Sequence, residues 1–154
     1  MQWDTVQHLH SRILALIFVF SVAISVSGQS WLDSKRIVFP KESLVLLDLI
    51  PDSSFQRFTP NREEVDSVDR YLSLYLAEMD DQPGRKVNIA GYNRQYVGVV
   101  MKGRKCVFIN AACRLTDSFS KNTAYPKGGG TCFFRTLIDL DQKEVLSCLF
   151  NAPK

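Results

Sequence analysis

Four cysteines, at positions 106, 113, 132 and 148, are the side chains of this sequence best suited to covalent chemistry, and His8 and His10 are its only imidazoles. Cysteine beside histidine would offer nucleophilic catalysis or a metal site, whereas cysteine alone in an oxidising compartment offers disulfides. The choice turns on the segment that holds the histidines. Residues 13–26 form an apolar run that follows Arg12 and precedes Ser27, Gly28 and Gln29. A basic residue, an apolar stretch of this length and a small-residue exit are the layout of a secretory signal peptide. As a helix the run would cover about 21 Å of the roughly 30 Å of bilayer hydrocarbon, which is short for a permanent span. The expectation is a signal peptide over residues 1–29 and a secreted or periplasmic mature chain without a permanent membrane span. The alternative is an uncleaved signal anchor that holds the chain at a membrane.

Cleavage removes both histidines, and with them the serine and cysteine sites that need an imidazole base and any histidine-ligated metal. Carboxylates then carry what chemistry remains. The pairs Glu63-Glu64 and Asp80-Asp81 fall at the ends of an expected helix, where capping or solvation explains them, and Asp139 is expected to pair with Arg135. No catalytic residue, cofactor or metal ligand is assigned, and the chain is read as a non-enzymatic protein. A net charge of +3 is far below the balance of a dedicated nucleic-acid binder, so no nucleic acid is expected as a partner.

These side chains need elements to position them. Residues 30–58 read as an N-terminal lead-in: 30–41 exposed, 43–50 a short apolar run that suits a buried strand, and 52–58 a loop. Thr59 as N-cap and Pro60 at the first helical position open a helix, along which Val65, Val68, Leu72, Tyr75, Leu76 and Met79 recur at spacings of three and four. Its opposite face, with Asp66, Asp69 and Arg70, is expected to be solvated. Residues 95–101 and 106–113 then read as one hairpin around Lys102, Gly103, Arg104 and Lys105, with 87–90 as an added strand. A second hairpin is expected from residues 131–140 and 145–151. The expected fold class is α+β, one long amphipathic helix packed on a four- or five-stranded antiparallel meander, with residues 59–154 and the lead-in forming one globular domain.

The strands constrain the cysteines. Seven strand steps separate Cys106 from Cys113, about 23 Å, while a disulfide needs Cα atoms within about 7 Å. With Leu140 opposite Val145, Cys148 faces Leu137 and lies too far from Cys132 to pair with it. Cys113 and Cys132 flank the long loop between the hairpins and are the favoured bridge, leaving Cys106 and Cys148 as free thiols. The alternative keeps all four as small core residues. A single zinc ion cannot join ligands so far apart.

Two further groups suit binding. The long loop carries Arg114, Lys121, Tyr125, Lys127, Gly128, Gly129 and Gly130, of which the glycine run reads as a flexible hinge; it lacks the spacing of a phosphate loop. The turn with Lys102, Arg104 and Lys105, with Arg85, Lys86 and Arg94 upstream, reads as a basic patch. The helix followed by hairpins, with all cysteines in the C-terminal half, resembles the cystatin-like architecture, and Gln95 with Val97 is similar to the Gln-x-Val-x-Gly signature of cystatins, with Val99 in place of its glycine. The resemblance implies protease inhibition. From the residues themselves the expectation is an unidentified macromolecular partner bound through the sheet face or the 114–130 loop. The alternative is a small apolar ligand or lipid between helix and sheet, suggested by apolar residues on both faces of the last hairpin, Phe133 and Leu137 against Phe134 and Ile138.

Overall fold

The computed structural model describes residues 30–43, 55–79, 87–115, 119 and 126–153. They form an α+β fold: β1 (Ser30–Asp33), β2 (Arg36–Val38), β3 (Gln56–Phe58), α1 (Arg62–Glu78), β4 (Asn93–Met101), β5 (Arg104–Ala112), β6 (Phe133–Asp139) and β7 (Glu144–Phe150).

The helix begins two residues later than the Thr59 cap would place it. Asn61 is the N-cap: its side chain accepts from the Glu64 amide at 2.9 Å, and the Glu64 carboxylate accepts from the Asn61 amide at 2.8 Å. A Thr59 cap would place Arg62 at the third helical position, and a guanidinium cannot accept that second bond. Thr59 instead accepts from the Lys41 amide at 3.0 Å. The apolar stripe behaves as its spacing predicts, with Val65, Val68, Leu72 and Leu76 buried.

Among the described residues the sheet has seven strands, in the order β1-β2-β4-β5-β6-β7 with β3 also on β4, and is not the expected four- or five-stranded meander. The added strands come from the lead-in. β2 runs parallel to β4, with Arg36 beside Arg94 and Val38 beside Tyr96, and β3 continues along the same edge, antiparallel, with Phe58 beside Gly98. Parallel strands need a crossover, and the stretch containing α1 supplies it. Ile37, Val38 and Phe39 are therefore fully buried where an exposed lead-in was expected, and Gln56–Phe58 is strand instead of loop. The expected strand at 87–90 gives way to a single 3-10 turn, Ile89–Gly91, capped by the Asn88 side chain. Of the expected strand at 43–50, all but Ser43 lies outside the described residues, as does the apolar run 13–26.

Both hairpins are present. The first closes on two residues, Lys102 (φ 51°) and Gly103 (φ 78°), both left-handed, so Arg104 and Lys105 belong to β5 and not to the turn. Positive φ at both central positions matches the twist of the flanking strands. The second has Asp139 opposite Glu144 and a bulge that shifts the register between Leu137 and Ile138. Cys148 therefore faces Thr136, not Leu137.

Each sheet face carries its own core. Toward α1 lie Tyr96, Val107, Ile109, Ala111, Phe134 and Ile138; away from it lie Ile37, Phe39, Val97, Val99, Phe108, Phe119, Phe133 and Leu137. The two-sided apolar pattern of the last hairpin thus marks a sheet buried on both faces.

Candidate functional site

The cysteines of the long loop meet at one end of the sheet. Cys113 leaves β5 and Cys132 precedes β6; they form a disulfide with Cα atoms 4.9 Å apart, reinforced by the Cys113 amide donating to the Cys132 carbonyl at 2.8 Å. Cys106 is free and buried, and Cys148 is free and half-buried. Burial pushes both thiols up to about 11, and the Asp139 carboxylate beside Cys106 adds to the effect there. Among the described residues no group of three histidine, cysteine or acidic side chains is placed to hold a metal ion.

The glycine run beside this bridge is held, contrary to the hinge expected from its composition. Gly128, Gly129 and Gly130 all take positive φ, at 79°, 93° and 55°. Asn151 locks them from the end of β7, its side-chain amide donating to the carbonyls of Pro126 at 2.6 Å and Gly128 at 3.0 Å. The Gly130 amide donates to Ala152, and the Tyr92 hydroxyl to the Thr131 carbonyl at 2.9 Å. A side chain at Gly129 would meet the Phe133 ring at 2.8 Å, so glycine is required there on two counts. Hydrogen bonds with Tyr92, just before β4, and with Asn151 and Ala152, just after β7, together with the Cys113–Cys132 bond thus fix the base of the loop.

On that fixed base sit exposed side chains. Arg114 lies over the Phe133 ring, 5.7 Å from its centroid, and Leu115 is 59% exposed. Lys127 projects from the other arm of the loop, and Leu149, two residues before Asn151, is 47% exposed. Lys121 and Tyr125 of the candidate loop lie outside the described residues, as do Arg85, Lys86, Asp80 and Asp81.

The expected basic patch at the opposite end is not assembled as a free cationic surface. Arg104 pairs with the fully buried Asp139 at 2.8 Å. Lys105 pairs with Glu64 at 2.8 Å and lies over the Phe58 ring. Lys102 alone of the three has no ion-pair partner among the described residues. Asp139 is thus the partner of Arg104, across the β5–β6 ladder, where Arg135 was expected. Its second oxygen accepts from the Asp141 and Gln142 amides at 2.9 Å, which shapes the β6–β7 turn.

The densest group of charges among the described residues lies on the helix face that the sequence predicts to be solvated. Asp69, expected on a solvated face, is 14% exposed and tied to the sheet: one oxygen accepts from the Tyr96 hydroxyl at 2.8 Å, the other from Arg94 at 2.9 Å. Arg36, brought alongside Arg94 by the parallel pairing, bridges to Asp33 and Asp66. Burial raises the Asp69 carboxyl, outweighing the opposing pull of Arg94, Tyr96 and Arg36. The Tyr96 hydroxyl is raised too, by burial and by the Asp69 charge. Burial also disfavours the Arg36 charge, yet its bonds to Asp66 and Asp33 prevail and raise its pKa. A carboxylate held above its usual range suits proton transfer only where a substrate can reach it. The oxygens of Asp69 are engaged by Tyr96 and Arg94, so its evident work is to join α1 to β2 and β4. The signal was legible: position 69 stands four residues after Val65 and three before Leu72, within the buried stripe.

On the other face, Gln95 is fully buried; its side-chain amide donates to the Phe119 carbonyl and its oxygen accepts from Asn110 at 2.6 Å. Residues 95–99, which carry the likeness to the cystatin signature, all lie inside β4 and are buried. No protein-family model, curated protein or solved structure matches this chain. Among the described residues no helix is long and apolar enough to cross a membrane.

Proposed function

We propose that this chain is a secreted or periplasmic, non-enzymatic binding domain that docks an anionic macromolecular partner on the disulfide-clamped end of its sheet. The observation that carries the reading is the rigid base of the 114–130 loop. The bridge, the left-handed glycines and the Asn151 bonds hold a frame from which Arg114, Leu115, Lys127 and Leu149 project. A surface ordered before binding loses little conformational entropy on association, and exposed leucines flanked by cations suit an apolar contact with an acidic rim. Export through a signal peptide over residues 1–29 belongs to the same reading, and a structural disulfide accords with an oxidising compartment. A cystatin-like architecture is compatible with the order of helix and hairpins, while the surface proposed here lies at the loop and not at residues 95–99.

Charge reversal tests this directly. Arg114→Glu combined with Lys127→Glu should abolish retention of the partner from the extracytoplasmic fraction of the source cells, while the thermal midpoint stays unchanged. Equal retention by both proteins, or retention by neither, contradicts the proposal.

A further inference from the structure

A second surface, at the other end of the strands, goes beyond this reading. Two clefts of about 380 and 440 Å³ share Tyr71 on the flank of α1. With Tyr71 lining both, they lie end to end along the flank of α1 that faces the β6–β7 turn, and are treated together as one groove. Its floor is apolar where Tyr71, Leu74 and Tyr75 follow one another along the helix, and Leu74 is 61% exposed. Glu63 stands at one end, and Glu78 with Glu144 at the other; none of the three has an ion-pair partner among the described residues. In all, five carboxylates and two lysines line the groove, an excess of three negative charges in a chain whose net charge is +3. One of the two lysines, Lys105, is already paired with Glu64.

We propose that this groove binds an extended, basic peptide segment of a partner protein. Charge complementarity selects the occupant: the negative groove repels phosphate-bearing and acidic ligands and attracts lysine or arginine. The tyrosine faces add sites for a guanidinium, and Leu74 offers contact to an aliphatic side chain between the cations. From Glu63 to Glu78 the helix rises about 22 Å, the reach of about seven extended residues. A heptapeptide that alternates arginine with leucine can therefore meet the carboxylates at both ends at once.

The test is fluorescence anisotropy with that labelled heptapeptide and its citrulline counterpart, which keeps the shape and loses the charge. Three exposed pairs together are worth about tenfold in affinity, so the citrulline peptide should bind about tenfold more weakly. The triple variant Glu63→Gln, Glu78→Gln, Glu144→Gln should lose the same factor with its melting temperature unchanged. The Arg114→Glu, Lys127→Glu protein should bind the heptapeptide undiminished, which separates this groove from the loop surface. Equal affinity for the two peptides, or an unaffected triple variant, overturns the proposal. Sedimentation showing a dimer that the triple variant dissolves also overturns it, because the groove then belongs to a second copy.

Discussion

The carboxylate of Asp69 is bound by Tyr96 and Arg94 and flanked by Arg36, yet burial keeps its pKa above the ordinary value. A group with a raised folded-state pKa takes up its proton more readily in the fold than in the unfolded chain. Its contribution to stability is therefore greatest at low pH and is lost as pH rises from the ordinary value of 3.8 through the raised one. Asp33 runs the other way. Burial opposes its charge, but the Lys35 amide and Arg36 prevail and lower its pKa, so its contribution is lost as pH falls. Substituting only Asp69 isolates the first effect. In urea titrations, the stability of the protein relative to Asp69→Asn should grow as pH is lowered from neutral toward 4. A difference that is constant, or that shrinks on acidification, contradicts the assigned direction.

At the scale of elements, α1 and the two hairpins were legible because their signals are local: apolar spacing of three and four along the helix, and two turns between apolar strands. β1, β2 and β3 were not. Arg36–Val38 and Gln56–Phe58 are three residues each, and their partners on β4 are reached only through long-range pairing. No periodicity can develop over so few positions. The lone interior glycine of β4 records one such contact. A side chain at Gly98 would run into the Phe58 carbonyl oxygen and stand 2.8 Å from its ring. Gly98→Ala must therefore push β3 from β4, and a loss of about 2 kcal/mol is expected from urea denaturation. A loss under about 0.5 kcal/mol, the range of an unconstrained surface change, would show that β3 does not press on β4.

Across the whole molecule, opposite ends of one rigid sheet carry opposite character: a clamped, cationic and apolar loop base at one end, an acidic groove at the other. The bridge at the cationic end was legible from strand lengths, since they forbid the local pairings. The locked glycines were not, because Asn151, which holds them, is far away in sequence. In denaturant without reductant, alkylation should block two thiols of the four, and in the native protein even those two should react slowly at pH 8, since burial holds them near 11. Four alkylated thiols would show that no disulfide clamps the base of the loop.

Site-specific photocrosslinking reads partner binding at the disulfide-clamped end in intact cells. A benzophenone side chain in place of Leu115 should give one discrete adduct in cells that disappears when Arg114→Glu is added, and the same group at the exposed Ser73, which helix geometry turns to the flank of α1 away from Tyr71 and Tyr75, should give none. Equal adducts at both positions, or none at 115, would contradict partner binding through the disulfide-clamped end.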